Sequence, residues 1–561
     1  MEFIRPFRHG SELNNVERLK LERHPLDVAE AVRERYSKAG AEAIAAVEGE
    51  HERLKWVGIY PQRQGGDAFM LRIKVPGGQL SAAQARRIGE ITDDFARGPA
   101  PHPEWGDRYC DLTTRQDVQL HWIRIEDVPE IWRRLEDVGL TSIQACGDSA
   151  RNVLGCPVAG VDAEEVFDAS GVVRAISDFF TGNREYANLP RKFKLSVSGC
   201  RDDCAQAEIN DVGLWPARLD DGSIGFNLLV GGGLSDGARM ASDIDVFVAP
   251  DEALECTRAV AQLFGELGNR ENRGFSRMRY LVQELGPEDF RAELAARAAF
   301  GLRPAGESLT RRYRGDHVGV HRQHTAGLSY VGCSVTVGRM AGLDLVEAAR
   351  LADTYGDGQV RLATDQNFVI TGVADDRLDD LLAEPLLARH SPFPGPFSRG
   401  VVACTGSEFC RFAIVETKAR ATRWATELDR RFADEFGGPE ALRGRADDAV
   451  VRLHFSGCSA SCAQPQIADV GFRGETAHVG EEIVEAVDIG LGGSLGADAG
   501  FGDWVVGALA VDDVPGALDA LITRFVDERR DGEPFHAWAR RAEQGALRAT
   551  LVAGASLEAS Q

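Results

Sequence analysis

Residues 455–472, FSGCSASCAQPQIADVGF, repeat residues 196–215, SVSGCRDDCAQAEINDVGLW, and that repetition decides the fold. Cys200 and Cys204 fall opposite Cys458 and Cys462 at an offset of 258 residues. The match extends outward. QACGDSARNVLGC (144–156) lies opposite VACTGSEFCRFAI (402–414) at the same offset, pairing Cys146 with Cys404. LTTRQDVQLHWI (112–123) echoes LATDQNFVITGV (362–373), and LLVGGGLSDG (228–237) echoes IGLGGSLGAD (489–498). Unrelated Gly/Cys turns would not keep both order and offset, so the chain is built twice. In each half, strand-like runs (FMLRIKV, VQLHWIRI) alternate with helical ones (LSAAQARRIGEITDDFA, LDLVEAARLADTYG). The expectation is an α+β chain with pseudo-twofold symmetry and room for a cofactor between its halves.

The bulk composition narrows the function. The 561 residues suffice for two to four domains with real cores, and 43% hydrophobic with 27% charged content is that of a globular protein. The first residues, MEFIRPFRHGSELNNVERLK, hold no apolar run of signal-peptide length, and no long uncharged apolar stretch follows. A cytoplasmic protein is expected. Eleven cysteines in so long a chain do not form a disulfide scaffold. A net charge of −23 argues against nucleic acid and anionic membranes as partners. Lysine is scarce, which draws attention to Lys192 and Lys194 in LPRKFKLSVSG, two apart on a probable strand and so on one face.

Four cysteines carry the chemistry. Cys404 and Cys410 are spaced C-x5-C; after 47 residues, Cys458 and Cys462 are spaced C-x3-C. Soft thiolates in two close pairs suit an iron–sulfur cluster. This pattern, with the duplication, resembles the siroheme-dependent nitrite and sulfite reductases. The resemblance implies a [4Fe–4S] cluster on Cys404, Cys410, Cys458 and Cys462, with Cys462 also bridging to siroheme iron. It implies an internally duplicated fold: a pseudo-twofold central domain made by both halves and two flanking α/β domains. The boundaries expected are 1–125 for an N-terminal arm and the first half of a ferredoxin-like central domain and 126–312 for a first siroheme-binding module. The second half of the central domain would take 313–385, and the siroheme and cluster module with a helical tail 386–561. PFPGPFSRG (392–400) reads as a linker. In the first half Cys146, Cys156, Cys200 and Cys204 remain, but nine residues separate the first pair and Arg201, Asp202 and Asp203 crowd the second. Buried thiols left from a duplication are favoured there over a second cluster. Zinc competes for either set, although its sites more often use C-x2-C.

Siroheme carries eight carboxylates, so its pocket needs cationic and amide donors. Arg115, Gln119 and His121 stand at alternate positions of a probable strand and match the family's carboxylate-binding strand. Reducing an oxyanion also needs fixed positive charge and proton donors on the open face of the macrocycle. The family positions for these fall on Arg72, Arg151, Lys192 and Lys194. The substrate signals divide. Lys194, and Tyr60 with Cys146 as a Tyr/Cys pair, lean toward sulfite. GNRENRGFSRMRYLVQELG (268–286), HVGVHRQHTAGLSYVG (317–332), ARLADTYGDGQVRLATDQN (349–367) and GDSARNVLGCPVAG (147–160) lean toward nitrite, which is favoured.

No G-x-G-x-x-G opens a helix after a strand, and the duplicate of VGGGLSDG argues for a packing turn rather than a nucleotide loop. Electrons are therefore expected from a separate carrier, which the resemblance implies is ferredoxin. RRYRGDHVGVHR (311–322) and RENRGFSRMR (270–279) are candidate docking patches for that acidic partner. A monomer is expected. A cluster-only electron carrier, or a siroheme-free enzyme of corrin synthesis, would explain the cysteines but not the double-length pattern with its Arg/Lys set.

Overall fold

The computed structural model describes residues 13–311, 316–436 and 450–558. Two antiparallel sheets form its centre. One runs in the order Ile59–Pro61, Ala68–Ile73, Val118–Arg124, Gly106–Leu112, Arg339–Ala341, with Arg97–His102 beside Gly106–Leu112. The other runs Gly319–Arg322, Leu328–Cys333, Phe368–Ala374, Gln359–Leu362, Gln79–Ser81. Each half thus lends a short strand to the other's sheet. Met340 pairs with Cys110, and Leu80 with Val360.

The helices Ala82–Phe95 and Gly342–Tyr355 follow those exchanged strands and cross at glycine. A Cβ at Gly89 would lie 2.5 Å from the Gly342 carbonyl, and one at Gly342 would lie 2.7 Å from that of Gly89. The first helix starts in a capping box of Ser81 and Gln84. Leu71, Ile88 and Leu120 from one half share a core with Val331, Leu345 and Ile370 from the other. Each such side chain contributes about 1.5–3 kcal/mol by leaving water.

The flanking sheets are copies. Ala150–Gly155, Phe193–Val197 and Val212–Arg218 pair parallel, then Ile224–Val230 and Ser242–Val248 add antiparallel. Val401–Ala403, Leu453–Ser456, Val470–Val479, Glu482–Leu491 and Asp503–Ala510 repeat that order. The symmetry reaches single hydrogen bonds. Thr114 Oγ1 donates to the Cys462 carbonyl and Thr364 Oγ1 to that of Cys204, both at 3.0 Å.

The 392–400 stretch is not a linker. Pro396–Gly400 is a short helix with Phe397 wholly buried, and Arg399 forks onto Asp316 at 2.7 and 2.9 Å. Three prolines read as a breaker, but Pro396 sits at a helix start, where its missing N–H costs nothing. Among the described residues no helix is long and apolar enough to cross a membrane.

Candidate active site

Parallel strands bring their following loops to one edge, and two such loops carry the C-terminal cysteines. Cys404 and Cys410 follow Val401–Ala403; Cys458 and Cys462 follow its neighbour Leu453–Ser456. Cys404 Sγ accepts the N–H groups of Gly406 (3.4 Å) and Gly457 (3.2 Å). Both positions require glycine. Gly406 has φ +68°, and a Cβ there would meet Thr417 Oγ1 at 2.6 Å; a Cβ at Gly457 would meet Ala413 Cβ at 2.9 Å. Burial pushes the Cys404 thiol up to about 12 and Cys458 up to about 11, so both are protonated at neutral pH unless a metal ion takes the proton's place. Among the described residues these four thiols do not gather within 4.8 Å of one another as a single ion's ligands would. Spaced sulfurs with N–H donors suit a four-iron cube with one cysteine at each corner.

Cys462 is exposed, whereas Cys404, Cys410 and Cys458 are half-buried. Arg72 and Lys192 lie within electrostatic reach of Cys462, and Arg72 of Cys410 as well, so the cysteine loops adjoin a group of cations. The structure brings Arg72, Arg151, Lys192 and Lys194 together as a half-buried to buried wall. Burial, with Arg277, Arg151 and Arg191 nearby, lowers Lys192 to about 7. Burial and the charges of Arg115 and Lys192 hold Lys194 well below an ordinary lysine. Burial also lowers Arg72, opposed by Asp117. Arg151 Nε donates to the Gly147 carbonyl at 3.0 Å.

Three members of this wall escaped the sequence reading. Lys74 is 2% exposed, donates to Thr181 Oγ1 at 2.8 Å and is lowered by burial to about 8. Asp117 is raised by burial to about 6 despite Arg72, Arg115, Lys74 and Arg151, and its Oδ1 has no partner. Arg277 pairs with Asp211 at 3.0 Å. The available signal was FMLRIKV, where Arg72 and Lys74 are two apart on a strand, as Lys192 and Lys194 are.

The proposed carboxylate-binding strand needs correction. The strand begins at Val118, so Arg115 lies in the preceding turn. Its guanidinium donates to Asn210 Oδ1 (2.9 Å) and to the Asn152 carbonyl (2.6 Å), leaving Nε unpartnered. Gln119 accepts from Arg72 (2.5 Å) and donates to Thr405 Oγ1 (3.1 Å), tying the cationic wall to the Cys404 loop. His121 is 1% exposed and presents no surface to a carboxylate. It bonds Asp111 Oδ2 at 2.9 Å and stacks on Phe409 at 4.0 Å. Asp111 in turn forks with Arg339 (2.7 and 3.1 Å), which reaches Glu408 at 2.6 Å. Phe409 and Glu408 lie between Cys404 and Cys410, so His121 supports the loop from beneath.

The 270–279 docking patch is also overturned. Arg270, Arg277 and Arg279 are buried, and Arg270 pairs with Glu17 at 2.7 Å. In the 311–322 patch, residues 312–315 lie outside the described residues, and Arg311 is engaged by Asp202 and Glu164. The VGGGLSDG turn packs as expected: a Cβ at Gly232 would stand 2.4 Å from the Glu208 carbonyl. In the first half Cys156, Cys200 and Cys204 converge within 4.8 Å, and Cys146 is not among them.

Comparison with known proteins agrees with this geometry. A family model described as the nitrite and sulphite reductase 4Fe-4S domain matches residues 146–300 and 395–544. The nitrite/sulfite reductase ferredoxin-like half domain matches residues 60–138 and 321–388. The chain is 43% identical to the assimilatory ferredoxin-dependent nitrite reductase of Haloferax mediterranei, covering 90% of this chain and 88% of that protein. It is 41% identical to a ferredoxin–nitrite reductase of Synechococcus elongatus, covering 92% and 98%. A ferredoxin sulfite reductase of Mycolicibacterium paratuberculosis is 36% identical, covering 96% of each. The solved NirA protein of Mycobacterium tuberculosis superposes with a TM-score of 0.86 at 35% identity, covering 96% and 98%. Siroheme and a [4Fe–4S] cluster are the cofactors of such enzymes, and the cysteine loops and the Arg/Lys wall with its free Arg115 Nε fit both groups. The duplicated sheets, the cysteine loops and both family matches agree: the chain belongs to the nitrite and sulfite reductase family.

Proposed function

We propose that this protein reduces nitrite to ammonia in a six-electron reaction, with ferredoxin as donor. The observation that supports the reading is the exposed Cys462 within electrostatic reach of Arg72 and Lys192, which joins the cysteine loops to the cationic wall. Cys404, Cys410, Cys458 and Cys462 would hold the cluster; Arg115, with Gln119 positioning Arg72, would face the siroheme. When bound, the two cofactors supply the electron transfer and the site at which the oxyanion is reduced. Arg72 and Arg151 then hold the anion by charge-assisted hydrogen bonds. Lys192 and Lys194 neutralise it. Lys192, lowered to about 7, exchanges its proton near neutral pH, as a general acid must. Partial burial of the wall strengthens these charges relative to fully solvated ones. Both halves of the cleft come from one polypeptide, which favours a monomer. A reducing compartment such as the cytoplasm keeps the ligand thiols available.

Nitrite is favoured by the relatives at 43% and 41% identity, both named as nitrite reductases. Lys194 supports sulfite as a second reading, because a second lysine in the anion site suits the more highly charged anion. Steady-state turnover of holoenzyme with reduced ferredoxin decides between them. A kcat/KM for nitrite well above that for sulfite is expected; equal values or a sulfite preference would overturn the assignment.

A further inference from the structure

The first module holds a second set of metal-ligating side chains. Cys156, Cys200 and Cys204 are 3%, 2% and 1% exposed, and their sulfurs lie within 4.8 Å of one another. Cys200 and Cys204 Sγ are 3.3 Å apart, and all three are free thiols. His317, also buried, turns Nε2 toward them: 3.0 Å from Cys204 and 3.9 Å from Cys156. Its other ring nitrogen is 3.3 Å from the Tyr330 hydroxyl. That contact orients the ring and, with Nδ1 carrying the proton, leaves the Nε2 lone pair facing the sulfurs.

Three soft sulfurs and one imidazole form a Cys3His donor set. With bond lengths of 2.3 Å to sulfur and 2.0–2.1 Å to nitrogen, a tetrahedral zinc has ligand–ligand edges of about 3.5–3.8 Å. Three of the six edges, Cys204–His317 at 3.0 Å, Cys200–Cys204 at 3.3 Å and Cys156–His317 at 3.9 Å, lie around that range, and the three sulfurs all lie within 4.8 Å of one another. A [4Fe–4S] cube fits poorly, because its ligands stand at separate corners and because Cys146, the counterpart of Cys404, is absent from the set.

We propose that Cys156, Cys200, Cys204 and His317 bind one structural zinc ion. The four ligands fill a tetrahedral shell, leaving no position for substrate. Cys200 and Cys204 sit where the pseudo-twofold axis maps Cys458 and Cys462, as the matched Thr364–Cys204 and Thr114–Cys462 hydrogen bonds show. One scaffold position thus holds a redox-active cluster in one half and a redox-silent ion in the other. The cysteines belong to the first module, whereas His317 lies two residues before the strand Gly319–Arg322 of the central sheet. The ion joins these two bodies.

Metal analysis of extensively dialysed holoenzyme tests this. Expected are about one zinc per chain alongside about five irons, four for the cluster and one for the siroheme. Cys156→Ser and His317→Gln should each lower zinc about tenfold while iron and the siroheme spectrum stay unchanged. Should both variants misfold, thiol titration of native wild type still decides: Cys156, Cys200 and Cys204 should be unreactive until a zinc chelator is added. Four results would overturn the site: zinc-free wild type, zinc retained by a folded variant, a Cys200–Cys204 disulfide, or a sixth iron in place of zinc.

Discussion

Gln206 and Gln464, 258 residues apart, donate to each other: Gln206 Nε2 to Gln464 Oε1 at 3.1 Å, and Gln464 Nε2 to Gln206 Oε1 at 2.5 Å. Each follows its cysteine pair by two residues, each takes positive φ, and each is buried. The pair marks the pseudo-twofold axis. Gln206→Leu should cost about 1–3 kcal/mol, because it strips a buried amide of its partner. Adding Gln464→Leu should cost less than the sum of the singles. Urea unfolding of the three variants measures this; strictly additive losses would show that the two amides do not depend on each other.

Cys462→Ser should abolish turnover with reduced ferredoxin. A hydroxyl is a poor iron ligand beside a thiolate, and Cys462 is the exposed cysteine within electrostatic reach of Arg72 and Lys192. Iron content and the visible spectrum, read beside activity, locate the loss. A variant with normal turnover would refute the ligand assignment.

Lys192 gives the reaction an alkaline limit. Its proton is present below about pH 7 and lost above it, so kcat should fall as pH rises through that region. Lys192→Arg keeps its charge throughout. The variant should be slower at pH 6.5, and its alkaline limb should move upward or vanish. An unchanged limb would assign that titration to another group.

Lys194→Asn removes one buried positive charge from the anion site, leaving Lys192, Arg72 and Arg151. The doubly charged anion loses more by Coulomb's law than the singly charged one. The ratio of nitrite to sulfite kcat/KM should rise by roughly tenfold, about 1.4 kcal/mol of differential stabilisation. A constant ratio would show that selectivity lies elsewhere.

Asp148 anchors the N-terminal helix Asn15–Glu22 through Lys20 (3.1 Å) and also pairs with Arg273 (2.8 Å). Burial raises its carboxyl, but Lys20, Arg273 and Arg191 pull it further down, well below the usual range. The folded state therefore binds this proton less readily than the unfolded chain. The stabilisation is complete above about pH 3.9, the ordinary aspartate value, and fades as pH falls toward the folded value. Asp148→Asn leaves Lys20 less compensated and should cost about 3–5 kcal/mol at pH 7. In thermal melts the gap to wild type should narrow only in strong acid. An equal gap at pH 7 and pH 2 would rule out the ionic contribution.

What could be read from the chain was whatever its duplication wrote twice. The paired cysteine loops and the doubled architecture follow from motifs that recur, whereas the grouping of Arg72, Arg151, Lys192 and Lys194 was legible only through the family resemblance. The misreadings share one cause, a partner distant in sequence. Arg270 and Arg277 resemble surface charge until Glu17 and Asp211 are seen against them. His317 has no local feature linking it to Cys204, 113 residues earlier. Arg115 reads as a strand residue because no glycine announces the turn. Gln116 takes φ +56° there, held by hydrogen bonds from its amide to the carbonyls of Gly77, Gly155 and Leu362.

The exchanged strands bear on the order in which the protein can be made. Gln79–Ser81 has no neighbour on the ribosome until Gln359–Leu362 emerges, nearly 280 residues later. At 5–20 residues per second that interval is roughly 14–56 s. During it the N-terminal half carries an unpaired strand and an open sheet edge able to pair with another nascent chain. Each half completes its central sheet only with a strand from the other. A gene split between the halves should yield fragments that require each other, and chaperone demand should peak before the second central sheet closes.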